Sequence, residues 1–84
     1  MGRSKRIQPI RLAEKLKAIR ENLELTAEQL IERLNCPQIP LHRASITEYE
    51  KGRREPPSLI LLAYSRLANI AVEILIDDEL DLPE

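Results

Sequence analysis

Between residues 43 and 54 the chain carries Arg43, Ala44, Thr47, Glu48, Lys51, Arg53 and Arg54. This is a run of hydrogen-bonding and charged groups with no nucleophile–base pairing. Arginine offers parallel donors that fit guanine. Threonine offers a methyl or hydroxyl to thymine or a phosphate, and glutamate can accept from a cytosine amine. The cations behind them suit phosphate oxygens, which fix position and carry no sequence information. Other chemistry has little to work with. The chain has one His, one Cys, and only Gly2 and Gly52, so it lacks a glycine-rich phosphate loop. Its carboxylates stand singly on amphipathic stretches or near the C-terminus, with no buried pair suggested. Cys36 and His42 are too few for a structural zinc site, which takes four ligands, so no metal or cofactor is expected.

The elements that must position these groups lie between Leu25 and Gly52, LTAEQLIERLNCPQIPLHRASITEYEKG. Thr26 and Gln29 form a Thr-x-x-Gln capping box at the start of a helix. Leu30 and Leu34 share one face of it, with Ile31 beside them. Pro37 forbids continuation because its ring removes a donor and clashes with the preceding turn. A second short helix follows, with Ile46 and Tyr49 turned inward, Lys51 in its last turn and Gly52 closing it. Pro40 suits a first helical position, so this helix is expected to start near Leu41. With Ile46 and Tyr49 inside, Arg43, Ala44, Thr47 and Glu48 fall on or beside the outward face. Two helices so joined read as a helix-turn-helix, whose second helix enters the DNA major groove.

Several motifs carry a family resemblance. They are Leu25-Thr26, Leu30, the Ile46-Thr47-x-Tyr49-Glu50-x-Gly52 run, Arg54-Glu55-Pro56, and a leucine-rich fourth helix ending at Asn69. Over roughly residues 12 to 76 the chain resembles the Xre-type, lambda-repressor-like helix-turn-helix family of bacterial and phage regulators. The resemblance implies an all-α, compact five-helix domain, with helices two and three as the helix-turn-helix. It implies that Arg20 pairs with Glu50 and locks helix three against helix one. It also places the loop after Gly52 near the phosphate backbone, making Lys51, Arg53 and Arg54, with Thr26, the expected phosphate contacts. There are two departures. The connection from Asn35 to Arg43 is longer than the family's usual turn. Ala27 stands where the family often has a phosphate-touching Gln, which removes one expected contact.

Composition is consistent with this reading. Eighty-four residues without Phe or Trp make one small domain whose core rests on Leu and Ile. No apolar run approaches the ~20 residues needed to span a membrane. The basic GRSKR start lacks a following apolar stretch, so it does not read as a secretory signal. The single cysteine fits a reducing, cytoplasmic setting. Net charge is −1, but it is unevenly spread. Residues 73–84 hold six acids (Glu73, Asp77, Asp78, Glu79, Asp81, Glu84) and no base, leaving residues 1–72 with 13 bases against 8 acids, a balance of +5. Such a basic body attracts phosphates through counterion release.

In chain order, residues 1–8 read as a basic arm in which Arg3, Lys5 and Arg6 are placed to reach DNA. Residues 9–76 read as the domain, and 77–84 as an acidic tail. The first helix is expected from Pro9 or Ile10 to about Asn22, burying Leu12, Leu16, Ile19 and Leu23 at helical spacing. His42 is expected to pack at the start of the third helix. The fourth helix is expected from a Ser58 cap to Ala68, apolar nearly all round and central, with Asn69 taking a left-handed stop. A short fifth helix near Val72–Ile76 is expected to turn Ile70, Val72 and Leu75 inward. Ile74, Ile76, Leu80 and Leu82 remain for a dimer contact or for packing back on the body.

The leading functional expectation is a sequence-specific regulator, a repressor, that binds double-stranded DNA as a homodimer and is not an enzyme. The alternative is a protein-interaction module, such as an antitoxin or accessory subunit, with a partner at the C-terminal tail. The long 35–43 connection, Glu48 and the acidic tail favour that second reading.

Overall fold

A computed structural model of the chain describes residues 9–83. Five helices run in order: α1 (Leu12–Asn22), α2 (Ala27–Leu34), α3 (Arg43–Glu50), α4 (Ser58–Ala68) and α5 (Val72–Ile76). Helix α1 packs on α3 and α5, α4 packs on α2 and α5, and α2 meets α3. Leu16, Leu30, Ile60, Tyr64 and Leu75 are fully buried where these helices converge, with Ile46 and Tyr49 delivering α3 to the same core.

The helix ends explain the path of the chain. Helix α2 opens on the capping box: Thr26 Oγ1 accepts from the Gln29 N–H at 3.1 Å, and Gln29 Oε1 accepts from the Thr26 N–H at 2.9 Å. Three helices close with the same pair of reversed hydrogen bonds around a left-handed residue. After α3 that residue is Gly52 (φ 74), with Gly52 N–H donating to Tyr49 O and Arg53 N–H to Glu48 O. After α4 it is Asn69 (φ 58). After α1 it is Glu24 (φ 57), whose N–H donates to Glu21 O while the Leu25 N–H donates to Arg20 O. Asn35 (φ 49) ends α2 in the same conformation before Pro37. Only glycine enters this region without steric cost, and asparagine enters it more easily than most residues, so Glu24 is the strained member.

Several boundaries and facings differ from expectation. Helix α1 starts at Leu12, after Arg11 as its N-cap residue; the N–H groups of Ile10 and Arg11, which a helix start leaves without partners, are held by the Asp78 carboxylate, each at 2.9 Å. Leu23 lies beyond the last turn and is 40% exposed, so the buried stripe ends at Ile19. Helix α3 starts at Arg43, with an extended His42 before it; the His42 side chain is exposed, not packed at the helix start as expected, and its backbone N–H donates to Ser45 Oγ at 3.1 Å. Pro57, not Ser58, stands before α4, which has no side-chain cap. Helix α4 is not buried all round: Leu59 is exposed, while the half-turned Leu62, Ala63 and Leu67 flank the core face. Val72 also points out, since the short α5 can bury only one side and spends it on Leu75.

Lys15 is buried within this frame, although charged side chains rarely are without partners. Its Nζ donates to Ile74 O and Asp77 O, both at 2.8 Å, and so satisfies carbonyls left over at the end of α5. Arg11 continues the seam, donating to Asp78 O at 2.8 Å and to Asp81 Oδ1 at 2.7 Å. Residues 77–82, expected as an acidic tail, thus lie along α1, with Leu82 packed against the core.

Candidate nucleic-acid interface

The third helix is placed from beneath. Ile46 and Tyr49, three apart, put one face of α3 into the core. A second constraint comes from Arg20 of α1. Its Nε donates to Glu50 Oε2 at 2.7 Å and its Nη2 to Glu50 Oε1 at 3.0 Å, while Nη1 reaches Leu25 O at 3.0 Å. This two-pronged, charge-assisted pair fixes rotation as well as distance. It also raises the Arg20 guanidinium above its ordinary value, chiefly through the hydrogen bond to Glu50. The Tyr64 hydroxyl is buried nearby and finds no hydrogen-bond partner among the described residues; burial pushes its pKa well up.

With that face held, Arg43 and Ala44 are exposed and Thr47 and Glu48 half-exposed on the other side of α3. Lys51, Arg53 and Arg54 are exposed just beyond its end. The Schellman closure at Gly52 turns the chain so that Arg53 Nη1 comes back to Glu48 Oε2 at 3.3 Å. Glu48 is therefore partly neutralised by its own loop. Thr47 Oγ1 donates to Arg43 O at 3.2 Å. Thr26, at the far end of the pair, is exposed; its oxygen is occupied by the cap, and its hydroxyl proton remains available.

Glu28 was not picked out in the sequence. Its Oε2 accepts from Arg43 Nε at 2.6 Å and pairs with Arg43 Nη2, joining the first turns of α2 and α3. That hydrogen bond holds the Glu28 carboxyl below its ordinary value. Fifteen positions separate the two residues, so no helical spacing could reveal the contact. Its only linear signal is an acid in a first helical turn, which the helix dipole favours anyway. Lys15 and Arg11 were likewise missed, because their acceptors sit near the other end of the chain.

The long connection stays on the flank. Cys36, Ile39 and Leu41 pack partly against the core, and Pro37, Gln38 and Pro40 face outward. The extra residues thus form a side lobe, and Glu28 still reaches Arg43 across the start of the two helices. Among the described residues no group of three His, Cys, Asp or Glu side chains converges as metal ligands. No described helix is long and apolar enough to cross a membrane. Arg3, Lys5 and Arg6, expected in a DNA-reaching arm, lie outside the described residues.

Two helices joined at a fixed angle, the second anchored by Ile46 and Tyr49 with a polar outer face, define a helix-turn-helix domain. The helix-turn-helix family model matches residues 16–75, from within α1 through most of α5. The chain belongs to the Xre-type, lambda-repressor-like helix-turn-helix family, a family of DNA-binding domains. No curated protein and no solved structure matches it.

Proposed function

We propose that this protein is a sequence-specific transcriptional regulator, acting as a repressor, that lays α3 in the major groove of double-stranded DNA. The observation that carries the reading is the division of α3: Ile46 and Tyr49 buried, Arg43, Ala44, Thr47 and Glu48 on the open side. Arg43 reads guanine, Thr47 meets a thymine methyl, and Ala44 leaves room for the base edge. Lys51, Arg53, Arg54 and Thr26 bracket both ends of the helix and hold phosphates. Glu48 accepts from a cytosine amine, with Arg53 moderating its repulsion of the backbone. Val72 and Ile76 are exposed on α5 and supply the apolar contact of a homodimer, which sets two α3 helices about 34 Å apart on a near-palindromic site.

Binding-site selection from a random DNA pool, followed by titration across a salt series, tests the reading. An enriched near-palindrome is expected, with affinity falling steeply as salt rises. No enriched site together with a flat salt response rejects it.

One observation favours the second reading, a protein-interaction module of the antitoxin or accessory-subunit type. Arg43, Glu48 and Arg53 are already engaged in pairs within the molecule. Co-purification of a partner that stays bound at salt concentrations abolishing any DNA retention supports this alternative.

A further inference from the structure

Arg43 and Glu28 are both open to solvent, with 75% and 56% of their side chains exposed. An ion pair this exposed adds little to stability, because water screens it and two flexible side chains must be ordered. Its consequence is geometric. Arginine has five N–H donors in a planar fork. The Nε–H and one N–H of Nη2 point to a single oxygen, Glu28 Oε2. The Nη1/Nη2 end remains free, and it is the end that fits O6 and N7 of a guanine. Arg43 is also the first residue of α3, where its own backbone is anchored by Thr47 Oγ1 donating to Arg43 O.

We propose that Glu28 of α2 is a positioning residue for base recognition: it clamps one edge of the Arg43 guanidinium so that the other edge is presented to one guanine. The inference rests on the DNA-reading role of α3 and adds a determinant outside α3. Glu28 touches no base. It raises discrimination by restricting Arg43 before contact, so fewer rotamers are lost on binding. It also withholds the same charge from neighbouring phosphates, which keeps Arg43 from serving as an indiscriminate backbone contact.

The test uses the full chain and its selected DNA site, with E28A, E28Q, R43A and the E28A/R43A double variant. For E28A, discrimination at one guanine-containing base pair is expected to fall about tenfold, with affinity for unrelated DNA unchanged or higher. E28Q keeps a carbonyl acceptor and is expected to retain most of the discrimination. The double variant is expected to match R43A, since the two residues act as one unit. In the free protein, the Arg43 Nε–H resonance is expected to shift in E28A. If E28A weakens every DNA by the same factor, or the double variant loses discrimination additively, the clamp is overturned while the regulator reading stands. If the wild-type chain binds no DNA at all, the regulator reading falls, and the clamp with it.

Discussion

At the scale of single residues, Arg20 and Glu50 decide how firmly α3 is held. The Glu50 side chain is only 9% exposed and Arg20 23%, so removing one partner leaves a largely desolvated charge behind. Loss of a partner in a fully buried pair costs about 3–5 kcal/mol; the partial exposure of Arg20 brings the expected cost of E50A to about 2–3 kcal/mol. For a domain of this size that is a drop of roughly 10 °C or more in melting temperature. An unchanged thermal midpoint would show the pair to be ornamental. The resemblance made this pair legible, because Glu50 sits within a recognisable motif and the family implies an arginine partner at the position of Arg20. Glu28 and Lys15 were not legible. A carboxylate and an ammonium on helices read as solvated surface until the fold brings up Arg43 for one and two spare carbonyls for the other.

At the scale of elements, the chain advertised its helices better than their ends. Leu12, Leu16 and Ile19 at helical spacing, the Thr26–Gln29 box, and Ile46 with Tyr49 reported α1, α2 and α3 directly, since each depends only on local periodicity or capping. The start of α1 was placed too early, and the partner of the N–H groups before it, Asp78, lies far along the chain where no local pattern reveals it. The closure of α1 was hidden as well. Glycine and asparagine flag a left-handed residue, whereas Glu24 gives no such signal. Replacing it makes an element-level prediction. E24G removes the penalty of a side chain in the left-handed region, about 1–2 kcal/mol, against a smaller entropic loss from the unfolded chain. The melting temperature is expected to rise by several degrees, with α1 and α2 unchanged by circular dichroism; a fall would mean that the Glu24 side chain does more than tolerate its backbone.

At the scale of the whole molecule, charge is arranged so that the acidic end is used internally. Asp78 accepts from the Arg11 and Ile10 N–H groups, and these bonds hold its carboxyl below the ordinary range. A carboxylate with a lowered pKa in the folded state stabilises the fold above its unfolded value, near 3.9, and loses that contribution as pH falls through the folded value. The contact between residues 77–82 and α1 is therefore intact at neutral pH and loosens below about pH 4. Hydrogen exchange at the Ile10 and Arg11 amides checks this: protection is expected to be lost on acidification before the α4 amides open, and D78N is expected to lower it already at neutral pH. Simultaneous loss across all helices would mean that the seam has no separate acid response. The charge count correctly separated a basic body from acidic residues 73–84, but composition could not say where the acids go.

The seam between Asp78 and the beginning of α1 has a practical corollary for anyone trimming this protein. Shortening it at Ile76 would strip Lys15 of one acceptor and deprive Ile10 and Arg11 of theirs, so a lost binding partner would report a frayed first helix as readily as a missing contact. Charge reversal at the outward-facing Glu79, which leaves those acceptors in place, separates the two.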